Sequence, residues 1–204
     1  MLQRNLRFLK PSTEHRTLGI LQALSEDSTI SQWKLGRRAG LSSARINGYL
    51  KEMKGRGFLA VNPLNAKSFE YQVTDEGEQK RRELLGEYFA EVVRSYTALK
   101  EMVRKRLSEL TDRGIENIVL YGAAETGEVV LQAIEPLPLR VIAVVDSDPA
   151  KQGRLFGSYV VLPPSVLLDI NCQAVVISSF GKSDEIYKSL ENNIDSNKIP
   201  VVRL

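Results

Sequence analysis

The alternation of apolar and polar positions in the first part of the chain predicts three short helices followed by a β-hairpin. Leu18, Leu21 and Leu24 recur at helical spacing, and serines at 12, 31 and 42 are placed to cap successive helices. Two short runs with strand character follow, separated by a segment rich in Asn and Pro. The expected elements are helices at 14–24, 32–39 and 42–54 and strands at 58–61 and 69–73.

The second and third of these helices are expected to bury one face each. Gly40 is the expected end of the second helix, because glycine is favoured at helix C-termini. On the apolar side of the second helix we expect Trp33, Leu35 or Gly36, and Ala39. On the buried face of the third we expect Ile46, Tyr49, Leu50 and Met53.

A much longer helix is predicted from Asp75 to about Leu110. Its apolar residues recur mostly at steps of 3, 4 and 7, which places a continuous apolar stripe on one face. A domain of this size is too small to bury such a helix alone. We therefore interpret residues 81–113 as a dimerisation and linker helix and expect a homodimer through residues 81–110. The alternative is a helix that packs on the rest of its own chain.

Beyond Gly114 the pattern changes to strands that alternate with helices. The strands are continuous apolar runs, typical of a parallel sheet covered on both faces. The fold class is therefore α/β overall, with an N-terminal winged helix-turn-helix, a long linker helix and a C-terminal small Rossmann-like parallel-sheet domain. The predicted domains are 1–80, 81–113 and 114–204.

Charge is distributed unevenly between the two halves of the chain. Residues 1–114 carry 21 Lys and Arg against 14 Asp and Glu, whereas residues 115–204 carry 7 against 11. A basic first half and an acidic second half indicate that only the first half meets a polyanion.

Composition excludes several classes of protein. With one histidine (His15) and one cysteine (Cys172), neither a zinc site nor a Ser-His-Asp or Cys-His centre is expected. Cys172 precedes an apolar strand and is interpreted as a buried structural thiol, which fits a reducing, cytoplasmic location. No apolar run is long enough to span a membrane, and the N-terminus lacks the apolar segment of a signal peptide.

The third helix has the residues that a recognition helix needs on its polar face. Arginine can bridge guanine O6 and N7, asparagine can pair with adenine, and serines at a helix start can donate to phosphates. The hairpin supplies a lysine at the expected wing tip. The predicted DNA-binding residues are Ser42, Ser43, Arg45, Asn47, Lys51 and Lys67.

The segment 14–110 resembles the MarR-type winged-helix regulators. The likeness is carried by the run ISQWKLGRRAGLSSARINGYLKEMKGRGFLAV, by Tyr71, Val73-Thr74 and Gly77, and by the later Tyr96-Thr97-Ala98-Leu99. It is most similar to the subgroup associated with exopolysaccharide gene clusters, in which Leu is usual at the position of Val73. The resemblance implies double-stranded DNA binding through residues 42–51 and a dimer.

A degenerate phosphate-binding turn follows the first strand of the second half. Gly122 and Gly127 stand where a G-x-G-x-x-G fingerprint has its outer glycines, but Ala124 replaces the middle one. Asp146 ends the next strand, where an acid can hold ribose hydroxyls. A nucleotide site and a purely structural turn are both compatible with this pattern.

This second half resembles the Rossmann-like modules of sugar-modifying proteins over residues 115–185. YGAAETGEVVLQAI and VVDSDPAKQGRLFGSYVVLPP are similar to segments of sugar C-methyltransferases, sugar-nucleotide acyltransferases and epimerases, and the D-x-D-P pattern is similar to that of Rex-type repressors. The resemblance implies a nucleotide ligand, either a sugar nucleotide or NAD. The residues implied to line its site are Gly122, Ala123, Gly127, Asp146 and Ser178.

The leading hypothesis is thus a dimeric, non-enzymatic transcriptional regulator that senses a nucleotide-type ligand and controls polysaccharide or sugar-nucleotide genes. A rival is a sugar-nucleotide-modifying enzyme or accessory protein whose winged helix does not bind DNA. A third is a purely structural interaction module.

Overall fold

A computed structural model describes residues 12–65, 68–193 and 199–204. The chain forms two compact units that divide between Tyr96 and Thr97, and each unit is considered by itself below. Among the described residues, no helix is both long enough and apolar enough to cross a membrane.

The first unit is a winged helix-turn-helix. Its elements are α1 (Thr13–Glu26), α2 (Gln32–Ala39), α3 (Ser43–Gly55), β1 (Leu59–Asn65), β2 (Ser68–Val73) and the beginning of α4 (Asp75–Thr111). β1 and β2 pair as the predicted antiparallel hairpin. Ser12, Ser31 and Ser42 cap the first three helices, each accepting a hydrogen bond from the backbone amide three residues later.

The core of this unit confirms most of the predicted apolar face residues. Ile46, Leu50 and Met53 of α3 are buried, and Tyr49 is partly buried against the same cluster. The prediction for Trp33 was wrong, because 60% of its surface is exposed. The buried side of α2 is formed by Leu35 and Gly36, and a Cβ at Gly36 would lie only 2.7 Å from the carbonyl oxygen of Leu41.

Thr74 and Gly77 fix the start of α4 against the rest of the unit. The Thr74 hydroxyl donates to the carbonyl of Gly57 over 2.6 Å and accepts from the amide of Gly77 over 3.1 Å. A Cβ at Gly77 would overlap the carbonyl oxygen of Phe58 and lie 2.8 Å from Cγ1 of Val73. The glycine therefore allows the first turn of α4 to approach the backbone at Phe58.

Substituting Gly77 by alanine is expected to destabilise the protein by about 1–3 kcal/mol, because the new methyl group overpacks against backbone that cannot move freely. Gly19→Ala is the matched control, since Gly19 lies inside α1 with no atom within 4 Å of an added Cβ. This control should gain roughly 0.5–1 kcal/mol from helix propensity. Urea unfolding of both variants provides the measurement, and a Gly77→Ala variant as stable as the wild type would contradict the packing argument.

The second unit is a three-layer α/β domain. After the end of α4 come β3 (Asn117–Tyr121), α5 (Glu125–Ile134), β4 (Arg140–Val145), β5 (Leu155–Phe156), β6 (Tyr159–Leu162), a 3₁₀ helix (Pro164–Leu168), β7 (Ala174–Ile177), α6 (Ser183–Asn193) and β8 (Val201–Arg203). The sheet order is β5-β6-β4-β3-β7-β8, and the pairing is parallel except for β5 with β6. The five parallel strands therefore follow the order 3-2-1-4-5 of a Rossmann fold.

Both faces of the sheet are covered, as the apolar strands predicted. One face packs against α5 and against Val103, Leu107 and Leu110 from the end of α4. The other packs against the 3₁₀ helix and α6, with Cys172 in the same cluster. The expected burial of Cys172 is confirmed, and burial raises the pKa of its thiol. The α/β fold class with its winged helix-turn-helix and Rossmann-like parts is confirmed.

The apolar stripe of α4 has two different environments. Val103, Leu107 and Leu110 are almost completely buried in the core of the second unit. In the first unit, Leu84 is buried against Leu18, and the exposed apolar residues lie further along the helix. Those exposed residues are Phe89, Val92, Val93, Tyr96 and, beyond the unit boundary, Met102.

The division of the chain into 1–80, 81–113 and 114–204 stays a prediction. α4 is one continuous helix that contributes to the cores of both compact units.

Candidate functional site

The polar face of α3 is presented to solvent as the sequence predicted. Ser42, Ser43, Arg45, Asn47 and Lys51 are all exposed, whereas Ile46, Leu50 and Met53 are buried. The hydroxyl of Ser42 accepts from the amide of Arg45, so Ser42 holds the start of the helix. Lys67 lies outside the described residues.

A second group of candidate residues meets at the carboxyl edge of the Rossmann sheet. Gly122, Asp146 and Ser178 directly follow β3, β4 and β7. These three strands are neighbours, and the chain changes direction across the sheet between β3 and β7. Ligands of open α/β sheets bind in the crevice at such a switch point.

A cavity of about 460 Å³ lies at this edge. Two lysines border it, and neither was predicted from the sequence: Lys151 follows β4, and Lys182 precedes α6. Their positions just beyond the carboxyl ends of β4 and β7 were the signal that could have identified them. The lining residues are Gly122, Ala124, Asp146, Ser147, Asp148, Lys151, Ser179, Lys182 and Ile186.

Asp146 is a buried carboxylate that connects the strand ends. One carboxylate oxygen, Oδ2, accepts from the amide of Ala123 and from Nζ of Lys151, each over 2.9 Å. The other, Oδ1, accepts from the amide of Asp148 over 2.9 Å. Burial acts to raise the pKa of Asp146, but these hydrogen bonds and the Lys151 charge outweigh it and lower the pKa below its ordinary value of 3.8. Asp146 thus holds the turn after β3 in place.

Ser178 lies beneath the surface of the cavity. Its side chain is completely buried, and the hydroxyl lies within hydrogen-bonding distance of the carbonyl oxygens of Gly122 (2.7 Å) and Tyr121 (3.1 Å). The carbonyl of Ser178 in turn accepts from the hydroxyl of Thr126 at the start of α5. The structure therefore places Ser178 in support of the turn and not among the residues that border the cavity.

The two glycines of the turn are required by close packing. Gly122 has φ of +122°, a conformation that favours glycine. A Cβ at Gly127 would lie 2.7 Å from the carbonyl oxygen of Gly122 and 2.9 Å from Cζ of Phe156. Gly122 borders the cavity, whereas Gly127 and Ala123 are buried around it.

Substituting Asp146 by asparagine is expected to reduce the free energy of unfolding by about 1–3 kcal/mol at pH 7. The uncharged amide loses the charge pairing with Lys151, and its NH₂ group faces a hydrogen-bond donor where a carboxylate oxygen accepts in the wild type. The folded-state pKa is lowered, so the carboxylate stabilises the fold fully above the ordinary pKa of 3.8 and loses this effect as the pH falls through the folded value. Urea unfolding at pH 7, 5 and 3 is the measurement. The difference between variant and wild type should be the same at pH 7 and 5 and should shrink at pH 3; a gap that is constant at all three would contradict it.

An apolar pocket of about 230 Å³ lies on the α6 side of the sheet. It is lined by Tyr121, Pro164, Ser165, Leu167, Leu168, Ser189 and Leu190. Burial raises the pKa of Tyr121, whose hydroxyl forms a hydrogen bond with Ser147. Ser147 also borders the lysine-lined cavity, so Tyr121 and Ser147 connect a polar cavity with an apolar pocket.

Two family models match successive segments of the chain. A model described as C-methyltransferase C-terminal domain matches residues 65–203, more than half of the sequence. The chain belongs to the C-methyltransferase C-terminal domain family. In this member of the C-methyltransferase C-terminal domain family, a second model, winged helix-turn-helix DNA-binding, matches residues 14–59. The predicted combination of a winged helix-turn-helix with a module similar to that of C-methyltransferases is confirmed.

Solved structures similar to this C-methyltransferase C-terminal domain protein include regulators and a dehydrogenase. The PcaV transcriptional regulator from Streptomyces coelicolor shares 20% identity at a TM-score of 0.41, over 55% of this chain and 82% of its own. UDP-D-quinovosamine 4-dehydrogenase from Vibrio fischeri shares 17% identity at a TM-score of 0.37, over 44% and 78%. The MarR family protein Rv2887 from Mycobacterium tuberculosis, in complex with salicylic acid, shares 17% identity at a TM-score of 0.37, over 48% and 74%. No curated protein matches the chain.

In the part of the chain that the structure describes, no cluster of side chains is a candidate metal-binding site. Within residues 12–65, 68–193 and 199–204, no group of three or more His, Cys, Asp or Glu side chains is placed to hold an ion.

Proposed function

We propose that this protein is a DNA-binding transcriptional regulator that acts as a homodimer and senses a nucleotide-type ligand. The observation that carries the proposal is the polar face of α3, where Arg45, Asn47 and Lys51 are exposed on a helix whose opposite face is anchored in the core. A recognition helix needs this division between a buried face and a face offered to the major groove. The basic first half of the chain supports the same proposal.

The proposed dimer contact lies on α4 between Phe89 and Tyr96. Residues of the predicted segment 81–110 that are buried within their own chain, such as Leu84 and Leu107, are not free to contact a partner. On a helix with 3.6 residues per turn, Phe89, Val93 and Tyr96 lie on the side opposite Leu84. They are 56%, 63% and 38% exposed, respectively. A second copy of α4 would cover this apolar surface.

The proposed ligand occupies the cavity at the carboxyl edge of the sheet. Lys151 and Lys182 supply positive charge for phosphate groups. Ala124 stands where glycine would let a pyrophosphate approach the backbone, and the oxygens of Asp146 already accept hydrogen bonds that a ribose would have to displace. A sugar nucleotide and NAD both carry a pyrophosphate and a ribose, so the proposal keeps both as candidate ligands. We propose no catalytic role for these residues and place the protein in the reducing cytoplasm, where the buried thiol of Cys172 stays free.

Membership of the C-methyltransferase C-terminal domain family favours a second candidate function. In this alternative, the chain is an enzyme or accessory protein of sugar-nucleotide modification whose winged helix does not bind DNA. Turnover of a sugar nucleotide, with no DNA binding at low salt, would support it.

A gel shift with the upstream region of the protein's own operon, over a salt series, tests the leading proposal. A protein that contacts phosphates should lose affinity steeply as the salt concentration rises. Repeating the titration with sugar nucleotides and NAD tests the sensing role, because a ligand alters DNA affinity only if it prefers one state of the protein. If ligands bind and the DNA affinity stays the same, sensing is excluded.

A further inference from the structure

The exposed face of α2 carries an aromatic and basic surface that the recognition helix does not explain. Trp33, the single tryptophan of the chain, is 60% exposed. The guanidinium of Arg37 lies over its ring, with Cζ 5.1 Å from the ring centroid. This pair presents an apolar ring, an indole N–H and a positive charge together at the surface.

The surroundings of Trp33 are mostly basic. A shallow hollow beside it is lined by Asp27, Ile30, Trp33, Lys34, Arg37 and Arg38. Arg38 is already paired with Glu26, and the Asp27 carboxylate accepts hydrogen bonds from the amide and hydroxyl of Thr29. Among the described residues, Lys34 and Arg37 take part in no ion pair. The charge of Arg37 is thus paired with no carboxylate among these residues, while that of Lys34 interacts with Asp27 without forming an ion pair.

We infer that Trp33, Lys34 and Arg37 form a second DNA contact, on the sugar-phosphate backbone beside the groove that α3 enters. This inference rests on the proposed DNA-binding function. In a helix-turn-helix, the first helix crosses the backbone while the second lies in the groove, and here these are α2 and α3. The close contact of Gly36 with Leu41 and Ile46 fixes α2 relative to α3. Arg37 and Lys34 neutralise phosphates, and the indole N–H donates to a phosphate oxygen while its ring packs on deoxyribose.

The intrinsic fluorescence of Trp33 tests this contact directly. The full chain is titrated with an unlabelled duplex from the upstream region of its operon, and acrylamide quenching is measured with and without saturating DNA. In parallel, fluorescence anisotropy of the same duplex, labelled at one end, reports binding itself. DNA that covers Trp33 should lower its quenching constant by about two-fold or more.

Substitutions test the energetic part of the inference. Trp33→Ala should weaken binding by about ten-fold for all sequences alike, and Trp33→Phe should restore part of the loss. Arg37→Ala should reduce the slope of log affinity against log salt by about 1, as expected for one lost phosphate contact. Arg154→Ala, which removes the same charge from an exposed position of the second unit, is the matched control and should change neither quantity. Circular dichroism melting checks that each variant is folded.

The outcomes separate this inference from the function on which it rests. If the labelled duplex binds but quenching of Trp33 does not change, the α2 contact is wrong and DNA binding by α3 stands. If Trp33→Ala binds DNA normally and instead loses a protein partner, the surface is a protein-docking site and the inference is overturned. If no duplex binds at low salt, the DNA-binding function and the α2 contact are both wrong.

Discussion

Substituting both Arg45 and Asn47 by alanine is expected to lower the affinity for the specific operator by about 100-fold or more. Each side chain is exposed on α3 and can read a base edge with two hydrogen bonds, and each such pair contributes about 1–3 kcal/mol of discrimination. Affinity for an unrelated duplex should change far less, because phosphates dominate non-specific binding. Gel shifts with operator and unrelated duplexes provide the comparison.

Two single-site variants supply the controls for this result. Lys51→Ala and Lys67→Ala remove positive charge from the same domain and should weaken operator and unrelated DNA to a similar extent. The single variants Arg45→Ala and Asn47→Ala should each reduce specific binding more than Lys67→Ala does. Equal losses for all three would argue against base readout by α3.

Introducing glutamate at both Phe89 and Val93 is expected to convert the proposed dimer to a monomer. Both side chains are more than half exposed, so the substitutions leave the core of the single chain intact. In a symmetric dimer each change occurs twice, and four carboxylates would be buried in an apolar contact. Light scattering after size exclusion should therefore report half the wild-type mass, and binding to an operator with two half-sites should fall with it.

Arg94→Glu is the matched control for the dimer experiment. Arg94 is also exposed, but it lies about 100° further round the helix than Val93. It should leave the mass unchanged. A wild-type protein that is monomeric, or a double variant that remains dimeric, would show that this face of α4 has another role.

Local signals in the sequence were sufficient to predict the three short helices and the hairpin of the first unit. Ser31 and Ser42 cap helices as expected, Gly40 ends α2 in a left-handed conformation, and the alternation of the hairpin is read correctly. These features depend on hydrogen bonds and backbone angles within a few residues, so the local sequence determines them.

Contacts between distant residues were harder to predict. Periodicity shows that Trp33 and Leu107 belong to apolar stripes but does not say what each stripe packs against, and the two residues have opposite exposures. Likewise, the position of Asp146 directly after a strand indicated that it lies at the carboxyl edge of the sheet. Its three hydrogen-bond donors come from the turn after β3 and from the loop after β4, which only the folded sheet brings together.

The position of α4 determines which fragments of this protein can fold on their own. The match to the winged helix-turn-helix model ends at residue 59, and the match to the C-methyltransferase C-terminal domain model begins at residue 65. The boundary between the two matches therefore lies in the hairpin, before the start of α4. A fragment that began at residue 114 would lack Val103, Leu107 and Leu110 and would leave the part of the sheet face beside α5 exposed to water. Each missing large side chain would cost about 2–5 kcal/mol, more in total than a small domain can lose. A fragment of the second unit made for gene fusion or crystallisation should therefore include the end of α4 together with the sheet.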